Sequence, residues 1–108
     1  MEAEYVRGHL ATMVLAVLAG GPAHGYGIAA DLKRRSDDQL EVLEGSLYPA
    51  LHRLEEAGWV ESEWETNEGR RRRSYSLTAA GKHELLERRA RWTAFRTFMN
   101  ILLEDADA

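Results

Sequence analysis

From Val60 to Leu77 the chain abandons helical spacing. Val60, Ser62 and Trp64 alternate with Glu61, Glu63 and Glu65, and after Asn67-Glu68-Gly69 the alternation resumes through Arg73-Ser74-Tyr75-Ser76-Leu77. Two period-2 runs joined by a short turn containing glycine specify an antiparallel β-hairpin. If Thr66 sits opposite Arg71, then Trp64 faces Arg73, Ser62 faces Tyr75 and Val60 faces Leu77, while Glu65 meets Arg72 on the other side, a register that makes chemical sense on both faces.

Helical patterns surround this hairpin. Val6, Leu10, Met13, Val14, Val17 and Leu18 recur at helical spacing and predict a first helix over Val6–Leu18, ended by Gly20-Gly21-Pro22. A second covers His24–Arg35, with Lys33, Arg34 and Arg35 at its negative dipole end. Ser36 to Gln39 is turn material, and Leu40 to Leu43 is a short extended piece. In the third helix, starting near Glu44 to Ser46 and stopping at Gly58, Leu47, Ala50, Leu51 and Leu54 form one buried stripe, and Pro49 is expected in the first turn. Thr78 is a natural N-cap for a last helix reaching about Leu103.

Three compact helices followed by a hairpin and a long helix give a mainly α fold with a two-stranded β-hairpin, the order of a winged helix-turn-helix. The expected division is a winged unit over residues 1–77 and a C-terminal dimerisation helix over residues 78–108. At 108 residues the chain has room for one small core. It lacks cysteine, which excludes disulfides, thiolate nucleophiles and cysteine-ligated metals and fits a reducing, cytoplasmic setting. The longest apolar run, Met13 to Gly21, is half a membrane span, so no membrane partner is expected.

Charge is the second informative feature. The formal net charge is −4, yet residues 67–77 carry +3 and residues 44–66 carry −5. A local run Gly69-Arg70-Arg71-Arg72-Arg73 on an acidic chain is what phosphate contact requires. A solvated turn neutralised by Glu61, Glu63 and Glu65 is the plainer alternative. Alternation sends at most half the arginines toward those acids, which favours phosphate binding and leaves Arg70 and Arg71 free. Asn67 and Arg72 complete the wing's candidate contacts. At the start of the third helix, Ser46 either caps the helix or meets a phosphate. Tyr48 and His52 lie off the buried stripe, where a DNA groove would find them.

Other polar groups carry less. His9, His24, His52 and His83 have no ligand spacing, and the neighbouring acids Asp37-Asp38 and Glu55-Glu56 point apart, so no cofactor, metal site or catalytic set is expected. Trp59 and Trp64 are expected to hold the hairpin against the helices, with Trp64 stacking on Arg73. Along the last helix Leu85, Trp92, Phe95, Met99 and Leu102 fall near heptad a and d positions, flanked by Leu86, Phe98, Ile101 and Leu103. That face is too wide for a lone small domain, so a homodimer is expected. Trp92, Phe95, Phe98 and Met99 serve either as plain dimer core, the favoured reading, or as a stacking site for a flat aromatic effector.

Three strings then carry a resemblance: Leu18 to Ile28 with His24-Gly25-Tyr26 at its centre, Gly45 to Val60, and Gly69-Arg70 followed by Tyr75 to Gly81. In this order and spacing the chain resembles the PadR family of bacterial transcriptional regulators, in its small subgroup with a single C-terminal helix. The resemblance implies a dimeric repressor joined through the last helix with help from the first, bound to a pseudo-palindromic operator in double-stranded DNA and often released by a phenolic or drug-like effector. It places Tyr26, Ser46, Tyr48, Pro49, Gly69 and Arg70 at or near DNA. A winged-helix adaptor that binds protein through the aromatic helix is the competing expectation, prompted by the acidic segment beside the reading helix.

Overall fold

The computed structural model describes residue 1 and residues 3–107. The helix predicted over Val6–Leu18 is divided in two, α1 (Ala3–Val6) and α2 (Leu10–Leu18). Gly8 causes the break: its φ of +87° is left-handed, a conformation open to glycine, and it turns the chain while the His9 N–H donates to the Val6 carbonyl at 3.0 Å. Val14, Leu15, Val17 and Leu18 of α2 are buried all the same.

A two-residue strand, β1 (Ala23–His24), leads into α3 (Gly25–Arg35). The turn after α3 uses left-handed Asp37 and Asp38, and Ser36 Oγ ties it by donating to the Lys33 carbonyl at 3.0 Å and accepting from the Leu40 N–H at 2.9 Å. Leu40 to Leu43 joins no sheet, so the extended piece expected there is connector; its end, Leu43, is extended backbone at the N-cap of α4 (Glu44–Glu56). Pro49 is therefore the sixth helical residue, beyond the first turn where it was expected. Its missing N–H leaves the Gly45 carbonyl without its usual helical donor.

The hairpin consists of β2 (Val60–Asn67) and β3 (Arg70–Leu77). Its register is the expected one, with Val60 opposite Leu77, Ser62 opposite Tyr75, Trp64 opposite Arg73, Glu65 opposite Arg72 and Thr66 opposite Arg71. Glu68 and Gly69, both at positive φ, form the two-residue tip. The sheet gains a third member the sequence did not announce: β1 pairs antiparallel with β3, Ala23 opposite Tyr75, in the order β1-β3-β2.

Leu15, Ile28, Leu47, Leu51, Val14 and Val60 form the sealed centre of the core. The last helix, α5 (Ala79–Ala106), has 28 residues and spans about 42 Å. Thr78 caps it as expected: Oγ1 accepts from the Gly81 N–H at 3.0 Å and donates to the Gly58 carbonyl at 2.7 Å, while the Thr78 N–H donates to the Trp59 carbonyl. Only Gly81 and Leu85 of α5 are buried, so most of this helix extends beyond the core and stretches the molecule to 61 Å.

Candidate nucleic-acid interface

One face of α4 builds the core with Leu47, Ala50, Leu51 and Leu54, and the opposite line presents Gly45, Pro49, His52 and Glu56 to solvent at helical spacing. His52 pairs with Glu56 one turn on. On one flank Ser46, Pro49 and Arg53 border a groove of about 480 Å³ shared with Arg7, Leu10 and Met13. Ser46 lies inside the first turn, and Leu43 holds the N-cap position, so of its two readings the cap is removed. Arg53 is the exposed cation that sequence reasoning passed over. Its signal was present, one turn beyond Pro49 and two beyond Ser46.

On the other flank Tyr48, half-exposed, lies across the start of α3. A Cβ on Gly25 would come within 2.5 Å of the Tyr48 hydroxyl, so glycine there lets the ring lie close. Tyr26, 82% exposed, stands beside it, and the two tyrosines line a groove of about 260 Å³ together with Lys33 and Glu44. Arg34 and Arg35 are engaged by Asp31, whose carboxyl is raised by burial but held below its ordinary range by the two guanidinium hydrogen bonds.

The wing divides its arginines between two faces. Arg71 and Arg73 lie with Trp64, Ser62 and the buried Tyr75 on the face turned to α4; Arg70 and Arg72 share the other with Glu63 and Glu65. Arg73 donates from Nε to Ser62 Oγ at 2.8 Å, and Ser62 donates to Glu55 Oε2 at 2.7 Å, which ties the wing to the end of α4. Burial pushes the neighbouring Tyr75 hydroxyl above its usual range. Among the described residues no carboxylate oxygen lies within 4.0 Å of Arg70, Arg71 or Arg72, and Glu65 instead approaches His24 Nε2 at 3.5 Å. Arg71 is not wholly free, because its guanidinium carbon sits 4.8 Å from the centre of the Trp64 ring. Trp59 packs against the core as expected, but Trp64 is 55% exposed and carries Arg71 and Arg73 instead of joining hairpin to helices. Asn67 and Gly69 stand at the open tip.

Far from the wing, α5 leaves Trp92, Phe95, Phe98, Leu102 and the half-buried Met99 on its surface. Trp92 meets the edge of His9 with centroids 5.7 Å apart and tilts against Phe95 at 6.2 Å. Nearer its start, Arg88 joins Glu84 at 2.7 Å, Thr12 Oγ1 of α2 at 2.8 Å and the face of Trp59 at 5.2 Å. The Arg88 hydrogen bond holds the Glu84 carboxyl below its ordinary range, against the opposing effect of burial. Among the described residues no group of histidines and carboxylates is placed to hold a metal, and no helix is long and apolar enough to cross a membrane.

Residues 14–87 match the family described as Transcriptional regulator PadR-like family. Transcriptional regulator Rv3488 of Mycobacterium tuberculosis is 37% identical over 86 residues, 80% of this chain and 78% of its own. The crystal structure of a PadR family transcriptional regulator from Eggerthella lenta is 34% identical and superposes with a TM-score of 0.81, covering 94% of this chain and 87% of that one. Bacillus subtilis PadR in complex with operator DNA is 25% identical with a TM-score of 0.67, over 76% of this chain and 46% of that one.

Proposed function

Because the chain belongs to the PadR-like family of transcriptional regulators, we propose that it binds double-stranded operator DNA as a homodimer and acts as a repressor. The observation that carries this reading is the set of wing arginines, Arg70, Arg71 and Arg72, standing clear of carboxylates beside the exposed line of α4 on an otherwise acidic chain. A relative solved on operator DNA supports it. The α4 line, with Pro49 and His52, enters the major groove together with Ser46 on its flank; Tyr26 and Tyr48 meet the edge of that groove. Asn67, Gly69 and the arginines follow the backbone beside it. No arginine lies on the outermost line of α4, so affinity comes chiefly from phosphates and base reading is modest.

The exposed aromatic line of α5 pairs with a second copy, residues 78–108 serving as the dimerisation unit. Two wings related by a two-fold axis then require half-sites about 10 bp apart or a multiple of that. The same aromatic surface suits a flat aromatic effector, held by stacking on Trp92 and Phe95 and by the adaptable Met99. Footprinting on the DNA upstream of the chain's own gene tests the reading, first alone and then with a panel of planar aromatic compounds. A symmetric footprint is expected. Arg70→Ala with Arg71→Ala should weaken binding on all sequences alike and flatten its salt dependence by about two phosphate contacts. Unchanged affinity in that double variant overturns the phosphate role, and failure to retard any promoter fragment at low salt overturns DNA binding in favour of a protein-binding adaptor.

A further inference from the structure

Trp64 is a large apolar ring left in water. At mid-wing it is more than half exposed, it takes no part in the core, and an exposed residue of that size calls for a reason. Two guanidinium groups lie over it, Arg71 at 4.8 Å and Arg73 at 5.1 Å from the ring centre. Their situations differ. Arg73 is committed to Ser62 and, at 3.9 Å, to Glu55, so it belongs to the joint between wing and α4. Arg71 has no such partner among the described residues; Trp64 is what it rests on. We infer that Trp64 is a positioning residue for DNA binding, its ring holding the Arg71 guanidinium in place so that the wing meets a backbone phosphate with an already ordered fork.

The argument is one of geometry and entropy. A guanidinium stacked on an aromatic face keeps all its N–H donors in its own plane, pointing outward past the ring, where a phosphate accepts two of them in parallel. An exposed arginine without a shelf samples many rotamers, and fixing it on binding subtracts from affinity; a stacked one has already lost that freedom. Among the described residues no aromatic ring lies beneath Arg70 or Arg72, which are on the glutamate-bearing face. Placement on the face shared with Ser62 and α4 directs Arg71 toward whatever lies along α4. The inference rests on the DNA-binding reading above and adds that the three arginines are unequal.

The test is a binding series on a duplex from upstream of the chain's own gene and, at low salt, on a duplex of random sequence. Trp64→Leu keeps an apolar side chain but removes the π face, and should raise Kd roughly two- to five-fold. Trp64→Phe keeps the face and should bind nearly as the unmodified chain does. Arg71→Ala should lower the salt slope by about one, and adding Trp64→Leu to it should change Kd by less than about two-fold, because the tryptophan acts through that arginine. Arg71→Lys, which keeps the charge and loses the planar fork, should weaken binding and leave Trp64→Leu with no further effect. Thermal midpoints of all variants should stay together, since the ring lies outside the core. Binding unchanged in Trp64→Leu, or an equal loss whether or not Arg71 is present, overturns the inference while the DNA-binding reading stands. Absence of binding to either duplex by the unmodified chain overturns both.

Discussion

A methyl group on Gly81 would sit 1.9 Å from the Trp59 carbonyl oxygen, a backbone atom that cannot move aside because it also accepts the Thr78 N–H. Gly81→Ala should therefore cost about 2–4 kcal/mol, read from urea unfolding, by prising the start of α5 from the base of the wing. Glu68 offers the opposite opportunity. It holds φ at 53° in the hairpin tip, a conformation that asparagine tolerates better, and it adds a negative charge to the tip two residues before Arg70. Glu68→Asn should raise stability by about 0.5–1 kcal/mol and tighten DNA binding at low salt, checked by thermal unfolding and anisotropy. At this scale the sequence was unevenly legible. The arginine run declared itself through charge, whereas Arg53 disappeared into the polar side of α4, and Trp64 read as a packing residue because a sequence does not say how far a strand extends past its helices.

Among the elements, the hairpin was the most legible, because alternation on both strands and a two-residue turn leave one register that buries Val60 and Tyr75 together. Strand β1 was invisible for the complementary reason: two residues show no period, and what makes them a strand is Ser74 and Tyr75, far along the chain. The α1 to α2 break was also hidden, since a single glycine in a helical pattern is as often tolerated as obeyed. The hold of α5 on α2 depends on Glu84 and Arg88, with Arg88 reaching Thr12. Because the folded Glu84 carboxyl titrates below its unfolded value of 4.5, its stabilising contribution is complete above that value and disappears as pH falls through the lowered folded value. An acid titration should show Glu84→Gln less stable than the unmodified chain at neutral pH, the difference closing on acidification.

For the molecule as a whole, the family and its winged fold were legible from ordered strings of residues, while the way α5 projects from the core emerged only in three dimensions. Its uncovered aromatic line should bring two chains together, giving a sedimentation mass near twice 12.2 kDa at micromolar concentration. Trp92→Glu with Phe95→Glu should return the monomer, folded, with DNA affinity reduced by more than ten-fold through loss of the second half-site contact. The sheet order has a consequence of its own. With β2 at the rim, one row of its backbone N–H and C=O groups is open to a strand from another molecule, the usual starting point for fibrils. Glu61, Glu63 and Glu65 set a negative charge at every second step of that rim, so two copies approaching side by side repel before they zip. The same acids that oppose a polyanion oppose edge-to-edge zipping between copies of this chain.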